Sequence, residues 1–124
     1  MFELTVITDF GAAHRVVDYP GKCNRLHGHN WIVEVTVAGE KLNELGMLVD
    51  FKSIKKEVAA LMEELDHHFL NELPAFAEKN PTAENIAVYI FDELEKSALF
   101  TGGVAVKAVK VWESLKSAVT YTKD

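Results

Sequence analysis

Two histidines stand two residues apart in Cys23-Asn24-Arg25-Leu26-His27-Gly28-His29, four and six residues after the only cysteine of the chain. The residues that follow, Trp31 to Val37, read as a strand. On a strand, residues i and i+2 point to one face with their Cα atoms roughly 6.5–7 Å apart. That spacing lets two imidazoles converge on one ion, and Gly28 between them adds no side chain. His14 closes another strand-like run, Phe2 to Ala13. If the two runs pair as a hairpin, His14 completes a three-histidine set. Three neutral nitrogen ligands with the fourth position open is the pattern of a catalytic zinc, whereas a structural zinc is closed by four protein ligands. The chain therefore reads as an enzyme.

Other residues have types suited to moving protons. Asp66-His67 joins an imidazole to a carboxylate that can orient it, as a general acid–base pair requires. Cys23 is a second candidate base or nucleophile, the thiolate being the reactive form and favoured near a cation. Glu113 ends a run, Val104–Trp112, that is otherwise apolar, small and basic. A carboxylate there suits a donor-rich heterocycle, because it accepts two parallel N–H bonds. Each has a plainer competitor. Asp66-His67 also fits a helix end, where histidine complements the helix dipole. Cys23 also fits a small buried hydrophobe, Glu113 a solvated strand end, and Thr82 and Glu84 an ordinary helix start. His68 receives no role.

These side chains need a scaffold, and the bulk properties give a small one. The 124 residues amount to a single domain, 1–124, and a 48% hydrophobic composition supplies a core. No apolar run approaches the ~18–20 residues of a membrane helix, and no signal peptide is apparent. A single cysteine forms no intrachain disulfide, which favours a reducing, cytoplasmic compartment. The net charge of −6 argues against non-specific nucleic-acid binding, so an anionic substrate needs a locally basic pocket. Residues 2–14 and 29–38 read as strands, the second burying Trp31, Val33, Val35 and Val37 opposite the more polar Glu34 and Thr36. Phe51, Ile54, Val58, Leu61, Met62 and Leu65 follow a helical period behind a possible Asp50 N-cap. Asn80-Pro81-Thr82-Ala83-Glu84 opens a second helix, apolar over a wide arc. Val104–Glu113 and Ala118–Lys123 read as two further strands. The order is ββααββ, an α+β sheet with both helices on one face. Its long open edges are a pairing hazard that closure into a shared barrel removes, so an oligomer is expected.

In this order, His14, Cys23-x3-His27-Gly28-His29, Gly46–Phe51, Leu65-Asp66-His67, Leu70-Asn71, Pro81–Asn85 and Glu113 resemble the 6-pyruvoyl-tetrahydropterin synthase family over nearly the whole chain. The nearest branch makes 6-carboxy-5,6,7,8-tetrahydropterin for queuosine and 7-deazapurine biosynthesis. The resemblance implies the tunnelling (T) fold, in which three ββααββ subunits close a twelve-stranded barrel and two trimers stack into a hexamer. It implies that His14, His27 and His29 bind Zn2+, which holds and acidifies the side-chain hydroxyls of 7,8-dihydroneopterin triphosphate. Cys23 would accept a proton from the side-chain carbon next to the pterin ring, and His67, oriented by Asp66, would exchange one on the other side. Glu113 would anchor the pterin and join the proton relay. Thr82 would give a backbone contact to the pterin from a neighbouring subunit. Lys22, Arg25 and Arg15 are the nearest basic candidates for the phosphates. The spacing of three residues between Cys23 and His27 resembles the carboxy branch, the biopterin-forming branch having five. Ser114–Ser117 departs from the family's usual Pro-containing turn.

Two other readings stand beside this one. His27-x-His29-x4-Glu34 resembles the first metal motif of cupins, although its downstream glycine falls at 39 and two helices interrupt the chain. Cys23 with the three histidines could instead close a structural zinc in a non-catalytic module.

Overall fold

The computed structural model describes residues 1–123. The elements run β1 (Phe2–His14), β2 (His27–Gly39), α1 (Phe51–Leu65), α2 (Ala83–Glu95), β3 (Ala105–Ser114) and β4 (Ser117–Thr122). The expected ββααββ order holds, and the four strands form one antiparallel sheet in the order β1-β2-β3-β4. The strand β2 starts at His27, two residues before the expected 29, because the hairpin ladder runs unbroken from Phe2↔Gly39 to His14↔His27. Neither His27 nor Gly28 favours a strand by itself; the pairing with β1 carries them into it.

One sheet face packs on the helices. Val6, Phe10, Trp31, Val33, Val35 and Val37 are buried there against Ile54, Val58 and Leu65 of α1 and Ile86, Ile90 and Phe91 of α2. Both caps form as the sequence suggests: Asp50 accepts from the Lys52 N–H at 2.8 Å, and the Thr82 hydroxyl accepts from the Asn85 N–H at 3.1 Å. No helix among the described residues is long and apolar enough to cross a membrane. The opposite sheet face carries polar pairs, with Thr5 bonded to Thr36 at 3.2 Å and Glu34 accepting from the Trp112 indole at 2.6 Å. Strand parity puts Glu34 on that face and His27 and His29 on the other. The cupin-like reading of His27, His29 and Glu34 is thereby removed.

Two local features shape the site. The ladder between β3 and β4 slips between Trp112 and Ser114, leaving Glu113 without a partner in it. Such a bulge re-aims a side chain. The departing turn still closes, Ser114 accepting from the Lys116 N–H at 3.2 Å. Beyond α1, residues 66–71 run alongside β1: Gly11 N–H donates to Asp66 at 2.7 Å, Ala13 N–H to the His68 carbonyl at 3.1 Å, and Arg15 N–H to Asn71 at 2.9 Å. This covers only the second half of the outer edge of β1. Among the described residues, the first half of that edge and the outer edge of β4 have no strand partner.

Candidate functional site

The hairpin register sets His14 directly opposite His27, with His29 two residues further along the same face of β2. One ring nitrogen from each of the three lies within 4.8 Å of the others. Main-chain carbonyls decide which nitrogens face inward. His14 donates its Nδ1–H to the Pro81 carbonyl at 2.7 Å, and His27 donates its Nδ1–H to the Arg25 carbonyl at 2.7 Å. A carbonyl can only accept, so in each neutral ring Nε2 is left as the bare acceptor. These two Nε2 atoms lie 3.0 Å apart. Two lone pairs facing at that distance call for a cation between them. The Nε2 of His29 is buried with no hydrogen-bond partner. Burial lowers the pKa of His14, with the neighbouring His27 and His29 adding to it against the Pro81 bond and Glu113. Burial lowers that of His29 too, opposed by Glu113. Neutral rings with converging lone pairs are what a metal ligand needs.

This donor set fits a three-nitrogen metal centre with an open position. Cys23 is not in the convergent set, so the site closed by one cysteine and three histidines is not the one the chain builds. Trp31 walls the centre edge-on, its ring centroid 4.9 Å from that of His14 and 5.1 Å from that of His29.

Glu113 leans over the centre from its bulge, one oxygen 3.8 Å from His14 Nε2 and 4.0 Å from His29 Nε2. It lines two depressions. One, about 360 Å³, also holds Cys23, Thr82 and Tyr19; the other, about 600 Å³, holds His29, Asn30 and Asp9. Cys23 sits half-buried on a 3-10 turn, Lys22–Asn24. The structure thus gathers Cys23, Glu113 and Thr82 around one hollow beside the histidines, the Thr82 hydroxyl already serving as the cap of α2. A larger cavity, about 730 Å³, lies at the other end of the sheet around Gly39, Lys41 and Gly103. None of the residues singled out for chemistry lines it, and chemistry rather than volume locates the site.

Asp66-His67 lies on a different flank, where His67 lines a hollow of about 500 Å³ with His29 and His68. Asp66 is held twice, by the Gly11 N–H at 2.7 Å and by His67 Nδ1 at 2.8 Å. The Gly11 bond first, then His67, draws its pKa below the usual 3.8. His67 follows the end of α1 in the left-handed region, φ 58°, and its side chain is 89% exposed. The helix-end reading and the acid–base reading meet here, but His67 and Cys23 line different hollows of the single chain.

Several groups make contacts that the sequence does not signal. Arg15, considered for phosphate, instead donates to the Asn24 carbonyl at 3.0 Å and the Asn24 side-chain oxygen at 2.7 Å. Lys22 and Arg25 remain exposed. The Pro81 carbonyl behind His14 carries no signal of its own in the sequence. Asn71 was visible only within the family pattern.

Comparison with known proteins accords with this architecture. Residues 3–124 match the family described as 6-pyruvoyl tetrahydropterin synthase. A 6-carboxy-5,6,7,8-tetrahydropterin synthase of Synechocystis sp. is 38% identical over 117 residues, 90% of this chain and 86% of that protein. The 6-pyruvoyl tetrahydrobiopterin synthase of Homo sapiens is 44% identical over 105 residues, 82% of this chain and 70% of that protein. The solved 6-pyruvoyl tetrahydropterin synthase of Caenorhabditis elegans superimposes with a TM-score of 0.86 at 28% identity, covering 99% of this chain and 96% of that one. With its ββααββ sheet, its converging histidines and these relatives, the chain belongs to the 6-pyruvoyl tetrahydropterin synthase family of enzymes.

Proposed function

We propose that this protein is a zinc-dependent lyase that converts 7,8-dihydroneopterin triphosphate and one water to 6-carboxy-5,6,7,8-tetrahydropterin, releasing acetaldehyde and triphosphate. Its product would enter queuosine and 7-deazapurine synthesis in the cytoplasm. The observation that carries this reading is the length of the thiol loop. Only three residues separate Cys23 from His27, and the turn Lys22–Asn24 passes almost directly into β2. The thiol is therefore tethered short to the first ligand of β2, which restricts the carbon it can reach.

His14, His27 and His29 would hold the zinc, which when bound supplies Lewis acidity toward a substrate hydroxyl. Glu113, aimed into the Cys23 hollow, accepts the pterin ring N–H and 2-amino hydrogens and fixes which side-chain carbon faces the thiol. Cys23 takes the proton from that carbon as thiolate. Thr82 lines the same hollow. A main-chain contact to the pterin from the start of α2 would leave its hydroxyl on the cap. Asp66 keeps the Nδ1 proton of His67 in place, so that Nε2 is the atom exposed for proton exchange.

His67 reaches no Cys23 hollow within its own chain, so the working unit is an oligomer in which one subunit's His67 serves the neighbour's hollow. The open first half of the edge of β1 and the open edge of β4 are the surfaces for a trimeric barrel, stacked in pairs as a hexamer of the single domain 1–124. The 44% identity to the human enzyme favours one second reading, elimination of triphosphate with all three side-chain carbons kept. Incubation with dihydroneopterin triphosphate separates the two. Trapped acetaldehyde and a product of 6-carboxy-tetrahydropterin mass are expected. A 6-pyruvoyl product without acetaldehyde would move the chain to the sister reaction.

A further inference from the structure

We infer that Arg15 is a positioning residue for Cys23, acting through the turn that carries the thiol rather than on a phosphate. Residues 15–17 continue β1 past His14 as a strap between two loops. On one side the strap grips the cysteine turn: Val16 N–H donates to the Cys23 carbonyl at 2.7 Å. The Arg15 guanidinium donates from Nε to the Asn24 carbonyl at 3.0 Å and from Nη2 to Asn24 Oδ1 at 2.7 Å. Two parallel donors on one rigid plane match two oxygens of one residue, a pairing that a lysine ammonium cannot copy. The carbonyls of Cys23 and Asn24 are thereby both fixed from β1.

The other side of the strap is anchored by two asparagines, each copying a strand partner with one acceptor and one donor. Asn71 accepts from Arg15 N–H at 2.9 Å and donates to the Arg15 carbonyl at 3.0 Å. Asn80 accepts from Val17 N–H at 2.8 Å and donates to its carbonyl at 3.1 Å. Asn80 is itself tied to α2, its carbonyl accepting from the Asn85 side chain at 2.8 Å. Arg15 is thus clamped at its backbone and engaged at its head, and the residue before it is the metal-facing His14. One peptide unit and one guanidinium, beside the Val16 bond, link the metal-facing His14 to the turn that carries the thiol, opposite the short chain segment to His27. Ordinary surface charge has no such pair of constraints.

The test uses the fact that Cys23 is the only cysteine. Its alkylation by iodoacetamide is measured on the purified metal-loaded protein for wild type, Arg15→Ala, Arg15→Lys and Asn24→Ala. Loosening the turn should expose the half-buried thiol and speed alkylation by about tenfold in Arg15→Ala, the scale of a lost charge-assisted bond. Asn24→Ala, which keeps the cation and removes only one acceptor, should move in the same direction, with Arg15→Lys between wild type and Arg15→Ala. The double variant should exceed neither single variant by much, because both break one clamp. Bound metal should stay constant. Unchanged alkylation in Arg15→Ala and Asn24→Ala would overturn the inference, and Asn24→Ala alone decides it if Arg15→Ala does not fold. A second arm rests on the proposed reaction: kcat should fall with KM for the pterin triphosphate within about twofold. A raised KM at unchanged kcat would make Arg15 a phosphate ligand and overturn the inference too. Because alkylation needs no substrate, a failed reaction assignment leaves the first arm intact.

Discussion

The histidine centre and the Asp66-His67 flank use the same side chain in opposite ways. In the centre, His14 is 1% exposed, backed by the Pro81 carbonyl and walled by Trp31. On the flank, Asp66 is fastened to Gly11, but the His67 ring is 89% exposed and its backbone is left-handed. Histidine tolerates that backbone better than most residues, as suits a position just past a helix end. The centre is finished by pairing within one hairpin, so a single chain completes it. The flank prepares a carboxylate and leaves its imidazole projecting outward. Metal binding should therefore depend on the chain alone, and proton transfer on assembly.

The largest expected effect tests that division. Cys23→Ala and His67→Ala should each lower turnover by roughly a thousandfold or more while metal content stays at wild-type level, as for residues that act as a unit. Subunits of the two variants, unfolded and reassembled together, should recover part of the activity, because some hollows then combine an intact Cys23 with a neighbour's intact His67. No recovery would place both groups in one chain's site and break the comparison. Next in size, His14→Ala or His27→Ala should lower metal affinity by more than the roughly 10–100-fold that loss of an outer-shell partner costs, read by metal analysis after dialysis. Full metal content in either variant would remove the centre. Smaller again, Glu113→Gln should raise the apparent Kd for the pterin by about 10–100-fold, the scale of bonds to a charged acceptor, with metal retained.

The sequence exposed these two regions unequally. Alternation along Trp31–Val37 and the helical period of Phe51–Leu65 made the ββααββ order legible, and with it the convergence of His14, His27 and His29. Those patterns report which side chains are buried, and the metal face is an extension of the buried face. Glu113 was visible as a carboxylate at a strand end, but its aim comes from a bulge, and a one-residue slip in a ladder leaves no periodic trace. The Pro81 carbonyl meets His14 across 67 residues of chain, a contact that depends on how α2 docks. Asp66-His67 could be read as a helix end or as an acid–base pair because it is both. The sequence marks Arg15 only as a basic candidate for the phosphates, because the partner of a guanidinium is a tertiary fact.

The smallest effect asks whether Asp66 is held in solution as firmly as the comparison requires. Its folded pKa lies below the ordinary 3.8, chiefly through the Gly11 N–H and then through His67. An unfolded chain has neither bond, so as pH falls past about 4 the unfolded form takes up its proton first. The stability that Asp66 contributes is present in full above that range and is lost as pH drops through the lower folded value. Asp66→Asn keeps an oxygen for the Gly11 N–H and removes the titration. Wild type should be the more stable at neutral pH, and its advantage should shrink steadily below about pH 4, read as the gap between urea midpoints at each pH. A gap that stays constant with pH would mean that the carboxylate does not hold Gly11 in solution. The flank would then be loose at both of its residues, and the contrast with the locked histidines would rest on exposure alone.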